Sequence, residues 1–334
     1  MIKKLIKQLK CSKEYLRLLG GYRRDFFRYA KYSCMGWNRQ SYSEGQLEGR
    51  MIANYHVVEK GLSMPDFRPC FGVPMLKKLI SLTKEGQQKF GWSSNVNYLT
   101  AVNVVQKYMQ RHEELGINLS EHYSEEEITY GKDLDSDIKV KSGSESHEEK
   151  LYFSESQSNF ADFARSRHSC RVFRRDVGVD EEILKKAVEA ARYTPSVCNR
   201  QGWKVHAFSD TKDIENLLAI QNGNRGFGHT IPMALVVTCN VNVFDGYHER
   251  NQAYVDGGLF SMSLMYALHQ NKLGAVPLCW LVDGKQDDNA RKIGGIPESE
   301  VIIMMMGVGK PVEQFLAPAS QRRDVEEILT IKNK

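Results

Sequence analysis

The sequence lacks any apolar run long enough to cross a membrane, and it lacks any Cys-x-x-Cys pair. No stretch of its 334 residues approaches the ~18 uninterrupted apolar residues that a spanning helix needs. The N-terminus has neither the apolar core nor the small-residue cleavage site of a signal peptide. The seven cysteines are scattered and odd in number, which argues against a zinc site or a disulfide framework. These absences predict a cytoplasmic protein with reduced thiols.

The charge is distributed unevenly along the chain. Residues 1–113 carry 20 Lys and Arg against 8 Asp and Glu, residues 114–150 carry 4 against 11, and residues 151–334 carry 22 of each. The acidic stretch is rich in Ser, Glu, Asp and Lys, with too few large apolar groups to offset the entropy of ordering. We therefore predict a basic helical domain at 1–115, an acidic linker at 116–150 and a separate domain at 151–334.

Residues 1–19 have the pattern of a basic amphipathic helix. Apolar side chains recur on one face and lysines occupy the other: Ile2, Leu5, Ile6 and Leu9 against Lys3, Lys4, Lys7 and Lys10. Such a helix suits an anionic membrane surface or an acidic partner. A bundle helix with a solvated lysine face has the same pattern, so both interpretations stay open.

His56 and Glu59 are three residues apart on a predicted helix and share one face. A His-x-x-Glu pair can bind a metal ion, but two ligands do not make a site. We expect instead a hydrogen bond near the end of the helix, with Gly61 ending it. No metal site is predicted in the chain.

Mixed α and β patterns begin after residue 151. A helix starts at Asp180, whose side chain can cap it, and has one apolar stripe at helical spacing. A strand is predicted at 203–208, a helix at 213–221, a buried strand at 233–239 and a long helix at 250–272. Strands at 274–281 and 301–308 complete the predicted sheet.

Two polar loops flank the helix that starts at Asp180. The first, residues 167–173, offers the guanidiniums of Arg167 and Arg171 and the hydroxyl of Ser169, which suit a phosphate. The second, residues 194–203, offers a rigid proline, small side chains and an amide, which can approach a flat, hydrogen-bonding ring. The helix between them holds the loops at a fixed separation.

This pair of loops resembles the nitroreductase family of FMN-dependent oxidoreductases, and the resemblance covers roughly residues 155–330. In that family an Arg-His-Ser-x-Arg/Lys segment holds the flavin phosphate and ribityl chain. A Pro-Ser-Ser-x-Asn-x-Gln-Pro-Trp segment lies against the isoalloxazine from across a homodimer interface. Val197 and Gly202 depart from the second segment, replacing a serine and a proline. The positions that carry over are Arg167, His168, Ser169, Arg171, Pro195, Ser196, Val197 and Asn199.

The resemblance implies three further contacts with the cofactor. Arg322 and Arg323, in an Arg-Arg-x-x-Glu-Glu ending, would close the phosphate site. The main-chain N–H of Leu278, after Pro277, would face flavin N5, with an uncertainty of one residue. Asn224 or Asn222 would meet the edge of the flavin.

The fold expected is α+β, with a central, mostly antiparallel sheet flanked by helices and an all-helical domain before it. The resemblance implies a homodimer that takes hydride from NADH or NADPH through FMN to a small nitroaromatic, quinone or enone by a ping-pong mechanism. The alternative is a pathway-specific flavoprotein or scaffold whose basic N-terminal domain binds a membrane surface or a protein. We expect no nucleic-acid partner. Cys198 is either a redox-active thiol or a buried small hydrophobe.

Overall fold

The computed structural model describes residues 12–13, 15–20, 22–23, 26–27, 42–132, 140–244 and 247–332. Contacts divide the chain into two compact units. One, called the helical unit, comprises residues 25–146 and 316–334, and the other, called the sheet unit, comprises residues 1–24 and 147–315. Residues 1–24 therefore group with the sheet unit and residues 316–334 with the helical unit, whereas the prediction places each in the other domain.

The helices are α1 (Glu44–Leu62), α2 (Val73–Phe90), α3 (Val96–Glu114), α4 (Glu125–Lys132), α5 (Glu149–Tyr152), α6 (Phe160–Ser166), α7 (Glu181–Ala191), α8 (Thr211–Ile220), α9 (Gln252–Gln270), α10 (Gly284–Gly294) and α11 (Val325–Ile328). The strands are β1 (Ser144–Glu148), β2 (Trp203–Phe208), β3 (Met233–Asn240), β4 (Gly274–Cys279), β5 (Glu300–Gly309) and β6 (Gln314–Pro318). Within the described residues, no helix is both long and apolar enough to cross a membrane.

The helical unit is built on α1, α2 and α3. A capping box between Ser43 and Gln46 begins α1. Apolar residues three or four apart then form one buried stripe along this helix. Buried apolar side chains of α1, α2 and α3 together make one core: Leu47, Met51, Tyr55, Val58, Leu62, Leu76, Leu79, Ile80, Leu82, Ala101, Val104, Val105, Tyr108 and Met109.

The end of α1 differs from the prediction. The helix runs past Gly61 to Leu62, and Ser63 is its C-cap. A Cβ on Gly61 would lie 1.9 Å from the ring of Phe71, so this glycine serves close packing and does not end the helix. The expected hydrogen bond between His56 Nδ1 and Glu59 Oε2 is present at 3.3 Å.

The segment predicted as a linker, 116–150, is largely folded where the structure describes it. Leu119 and Tyr123 are buried in the helical core. Ser124 and Glu127 exchange side-chain and main-chain hydrogen bonds at the start of α4, at 2.9 and 3.2 Å. Its average composition is polar, but a few well-spaced apolar groups and a capping box suffice to order it. Residues 133–139 lie outside the described residues.

Part of the predicted N-terminal amphipathic helix is described. Residues 12, 13, 15–20, 22 and 23 are helical, and residues 1–11 lie outside the described residues. Tyr15, Leu16, Leu19 and Tyr22 in this segment expose 52–67% of their surface, whereas the apolar and lysine faces predicted between Ile2 and Lys10 lie outside the described residues.

The sheet unit contains a four-stranded antiparallel sheet in the order β2-β3-β5-β4. Strand β3 lies between β2 and β5 and is buried along nearly its whole length. Its sequence has no charged residue, as is typical of a strand that is covered on both faces. Strands β1 and β6 form a separate two-stranded sheet. The α+β architecture with an antiparallel sheet is as expected.

Helices α7 and α9 cover one face of the sheet. Asp180 accepts the N–H of Glu182 and caps α7, as predicted. Their apolar sides meet β3, β4 and β5 in one core that includes Ala187, Ala191, Leu235, Val237, Phe260, Leu264, Leu268, Ala275, Met306 and Val308. The helices thereby fix the position of the loops at their ends.

A buried histidine connects α3 to the loop before α2. Nε2 of His112 accepts the N–H of Cys70 at 3.0 Å, and Nδ1 lies 2.8 Å from the carbonyl of Tyr108. Because Nε2 accepts, Nδ1 must carry the proton and donate. Burial lowers the pKa of His112, so the ring stays neutral.

We expect His112→Phe to destabilise the protein by about 1–3 kcal/mol, because the buried N–H of Cys70 would lose its acceptor while ring packing is retained. Urea unfolding followed by circular dichroism measures this change. His122→Phe, at an exposed position, is the control. Equal midpoints for wild type and His112→Phe would contradict the prediction.

Candidate flavin site in the sheet unit

The first polar loop lies along the free edge of β4. Ser169 forms a parallel bridge with Ala275, and the N–H of Cys170 donates to the carbonyl of Ala275 at 3.1 Å. Phe173 makes a second bridge, with Pro311. Main-chain pairing therefore fixes the loop that carries Arg167, Ser169 and Arg171.

Side-chain hydrogen bonds also hold the start of the first polar loop. The hydroxyl of Tyr152 donates to the carbonyl of His168 at 2.7 Å. The hydroxyl of Ser166 lies 2.9 Å from Nε2 of His269, whose ring is buried. Arg167 thus follows one anchored residue and precedes another. The imidazole of His168 packs 4.5 Å from the ring of His147.

Arg171 and Cys170 are both buried, with different consequences. Burial raises the pKa of the Cys170 thiol to about 12, so this cysteine is unreactive. Arg171 is 7% exposed, and Nη1 donates to the carbonyl of Ser169 at 3.4 Å. The guanidinium of a buried arginine stays charged, so the loop carries a fixed positive charge.

The second polar loop, which we call the ring loop (residues 194–203), has an unusual backbone. A short 3-10 turn spans Val197–Asn199. Three of its residues adopt left-handed φ values without being glycine: Cys198 (49°), Asn199 (55°) and Gln201 (50°). Such conformations are disfavoured for residues with a side chain and persist where surrounding contacts enforce them.

Several contacts enforce this conformation. The N–H of Val197 donates to Oδ2 of Asp256 at 3.2 Å, and the N–H of Gln201 donates to the hydroxyl of Ser196 at 3.0 Å. Arg200 forms an ion pair with Glu249 at 2.5 Å. The ring loop is therefore tied both to α9 and to the segment before it.

Gly202, where the resembling family has proline, is closely packed. A Cβ at this position would lie 2.9 Å from Cγ2 of Val243 and 3.2 Å from the carbonyl of Asn240. The carbonyl of Gly202 accepts the N–H of Asn240 at 2.7 Å. A proline ring would clash here unless β3 and the residues after it shifted.

Strand β4 directs a different N–H to its free edge from the one expected. In a strand, the main-chain groups of alternate residues point to the same side. The carbonyls of Ala275 and Cys279 both point away from β5. The carbonyl of Ala275 accepts the N–H of Cys170. The carbonyl of Cys279 accepts from Nε2 of Gln221 at 2.8 Å. The N–H of Leu278 accordingly points into the sheet, where Leu278 is paired with Met305. The candidate donor to a ring is Cys279, one residue after the predicted Leu278, and Pro277 between the carbonyls has no N–H to offer.

The amide nitrogen of Asn224 donates within its own loop, and its contact with the flavin edge stays a prediction. Nδ2 of Asn224 donates to the carbonyls of Leu218 and Gln221, each at 2.6 Å. Nδ2 of Asn222 donates to the carbonyl of Leu281 at 3.3 Å. Through Gln221 this loop is fastened to the end of β4, so it lies beside the candidate donor although both asparagine amides are engaged internally.

Arg322 and Arg323 belong to the helical unit. Nη2 of Arg323 pairs with Oε2 of Glu48 at 2.8 Å, and Arg322 donates to the carbonyl of Ser320. Burial raises the pKa of Glu48, but hydrogen bonds from Asn95 and Asn97 and the charge of Arg323 outweigh it, and the pKa is lowered. A phosphate contact for either arginine stays a prediction.

The structure thus places the first polar loop and the loop of Asn224 at β4, and the ring loop at α9. The residues that the sequence did not single out are Asp256, Gln221 and Cys279. Asp256 had a visible signal, an acidic residue on the inward side of an apolar helix. Cys198 is exposed, so the interpretation as a buried hydrophobe is wrong, and its redox role stays a hypothesis.

Residues 164–222 match the family model described as the Nitroreductase family, which confirms the resemblance over the part that holds both loops. No curated protein matches the chain. Three solved structures illustrate the structural similarity. They are an Exiguobacterium sibiricum protein in complex with FMN (17% identity, 53% of this chain and 98% of that one, TM-score 0.46), an FMN-dependent nitroreductase from Clostridium difficile (19%, 52% and 100%, 0.44) and a nitroreductase family protein from the same species (19%, 53% and 99%, 0.43).

The buried ring of His269 makes the stability of the protein depend on pH. Burial, with the charges of Arg167 and His168, lowers its pKa from 6.5 to about 4. Between these values the unfolded chain binds a proton that the folded protein refuses, so stability falls as the pH falls through this window. From pH 7.5 to pH 5 we expect wild type to lose about 2 kcal/mol more than His269→Gln.

Urea unfolding at both pH values measures the difference. His229→Gln, at an exposed histidine of the same unit, is the matched control. A pH dependence that is identical in wild type and His269→Gln would show that His269 does not contribute to it.

Proposed function

We propose that the protein is an FMN-dependent oxidoreductase of the nitroreductase kind and that the sheet unit holds the cofactor. One observation carries the proposal: the segment that matches the family model contains both polar loops, and the first of them is paired to β4, beside a free-edge N–H. The fold alone does not support an activity. The two polar loops and the N–H at the edge of β4 together suit FMN.

The phosphate end of the cofactor would lie at the first loop. The guanidiniums of Arg167 and Arg171 and the hydroxyl of Ser169 form a donor set that matches a dianionic phosphate. Arg171 is already buried and its loop is already anchored, so little ordering would accompany binding.

The ring end would meet the ring loop and the end of β4. When bound, FMN supplies hydride transfer in two half-reactions of a ping-pong cycle, from NADH or NADPH and then to a small nitroaromatic, quinone or enone. The N–H of Cys279 would donate to the electron-rich centre of the ring and stabilise charge that develops there. Pro195, Ser196 and Asn199 would shape the pocket wall. None of these residues needs to exchange a proton.

A homodimer would complete this site. In α9, Tyr254, Val255 and Leu259 expose 57, 52 and 47% of their surface, which forms an apolar strip along the helix. An exposed strip of this kind is typical of a protein interface. Because Asp256 on the same helix holds the ring loop, pairing through α9 would bring one protomer's ring loop to the other protomer's flavin.

We expect the purified protein, incubated with FMN and desalted, to be yellow and to be bleached by NADH or NADPH. Arg167→Ala should raise the dissociation constant for FMN about tenfold or more, because a charge-assisted hydrogen bond contributes about 1.5–3 kcal/mol. Quenching of flavin fluorescence measures this constant.

Arg165→Ala is the matched control for Arg167→Ala. Arg165 is two residues earlier, exposed and paired with Asp162 at 3.2 Å, so its loss should leave FMN affinity unchanged. A protein that stays colourless, or equal affinities in wild type and Arg167→Ala, would refute the proposed cofactor site.

The exposed apolar face near the N-terminus favours a second role, attachment to an anionic membrane surface. Leu16 and Leu19 are three residues apart in the helical segment 15–20 and share one side of it. Their side chains are exposed, as are those of Tyr15 and Tyr22. Insertion of apolar side chains combined with attraction of basic residues is how interfacial helices bind lipid. This role would place the oxidoreductase at a membrane surface.

We expect full-length protein to sediment with vesicles that contain phosphatidylserine but not with pure phosphatidylcholine, and less at high salt. Leu16→Glu/Leu19→Glu should abolish sedimentation, since each buried leucine contributes about 1.5–3 kcal/mol. Leu151→Glu, at another exposed leucine (62%), is the control. Binding that is unaffected by the double substitution would exclude this face.

A further inference from the structure

Asp256 is an acidic side chain in the apolar interior of the sheet unit. It lies on the inward side of α9 and is 1% exposed. Buried carboxylates are unfavourable unless hydrogen bonds compensate for the lost water. Here Oδ1 accepts from Nε2 of Gln252 at 2.7 Å and Oδ2 accepts from the N–H of Val197 at 3.2 Å. Each oxygen therefore has one donor.

The second of these donors begins the 3-10 turn of the ring loop. Immediately after Val197 the chain takes the left-handed conformation at Cys198 and Asn199, and again at Gln201. The later part of the loop is held by Arg200, which donates to the carbonyl of Val243 at 2.9 Å and pairs with Glu249. Asp256 holds the earlier part, at the point where the unfavourable conformations start.

We propose that Asp256 is a positioning residue that keeps the ring loop in its left-handed conformation and so presents Ser196 and Asn199 to the cofactor ring. The role in cofactor binding rests on the proposed function, whereas the hold on the loop does not. An acceptor is needed at this place because the donor is a main-chain N–H, and a carboxylate has a second oxygen left for Gln252.

The position of Asp256 on α9 adds a consequence. Tyr254 and Val255, its neighbours in sequence, are exposed on the face proposed for dimer contact. The same turn of α9 therefore holds the ring loop on its buried side and carries the proposed dimer surface on its exposed side. A shift of this turn on dimer formation would move the loop with it.

Hydrogen exchange of the full-length protein without FMN tests the hold on the loop directly. We expect the Val197 amide of wild type to exchange at least tenfold slower than an unstructured amide. In Asp256→Ala, amides 197–201 should exchange at least tenfold faster, while those of α8 keep their wild-type rates. A Val197 amide that is unprotected in wild type would overturn the proposal even if Asp256→Ala did not fold.

Cofactor affinity then tests the consequence for the site. Asp256→Ala should weaken FMN binding at least tenfold, and Asp256→Asn should stay within threefold of wild type, because its amide oxygen can accept from Val197 while Gln252 rotates to accept from its nitrogen. Ser261→Ala is the matched control, since Ser261 is also buried on α9 but bonds only to the carbonyl of Gly257, at 2.7 Å.

The outcomes separate the two proposals. If wild type shows the protected Val197 amide but binds no FMN, the proposed function fails and the hold on the loop stands. If wild type binds FMN and Asp256→Ala binds it equally well, Asp256 does not position the ring loop for the cofactor.

Discussion

The pairing of the first polar loop with the free edge of β4 is the constraint on which the site depends. An edge strand exposes main-chain donors and acceptors on one side, and these groups attract any extended segment. Here the bridge between Ser169 and Ala275 occupies the beginning of that edge. Main-chain pairing therefore fixes the backbone from which the side chains of Arg167 and Arg171 extend.

Pro277 agrees with this arrangement of β4. Proline lacks an N–H, so within a sheet it is tolerated only where that N–H would not join the ladder. The alternation that points Ala275 and Cys279 away from β5 points the nitrogen of Pro277 the same way. The free edge then offers no donor between its paired beginning and Cys279. The N–H of Cys279 at the end of the strand is therefore the next main-chain donor on this edge after the pairing at Ala275.

Local features of the chain were predictable from the sequence. The cap at Asp180 and the stripe that buries Ala187 and Ala191 are set by residues within three turns of helix. The strands at β2 and β3 follow from short, charge-free or alternating runs. The two polar loops were found for the same reason, because each is contiguous in sequence and carries its chemistry in adjacent residues.

Features that depend on distant partners were not predictable. Whether the N–H of Leu278 or of Cys279 reaches the free edge depends on the phase of pairing with β5, which no residue of β4 encodes alone. The role of Asp256 depends on its hydrogen bond with the N–H of Val197, which is 59 residues earlier in the sequence. Composition suggests a linker at 116–150 because it averages over Leu119 and Tyr123, whereas their burial depends on where individual apolar side chains fall.

The two C-terminal arginines of the helical unit have different partners. Glu48 is held by the amides of Asn95 and Asn97, at 3.0 and 2.9 Å, and its second oxygen pairs with Arg323. An arginine that already neutralises a fixed, partly buried carboxylate would have to leave it before contacting a phosphate, and the carboxylate would lose its cation. Arg322 donates instead to the carbonyl of Ser320, two residues earlier. Arg323 therefore fastens the segment after β6 to α1, and a phosphate contact for either arginine stays a prediction.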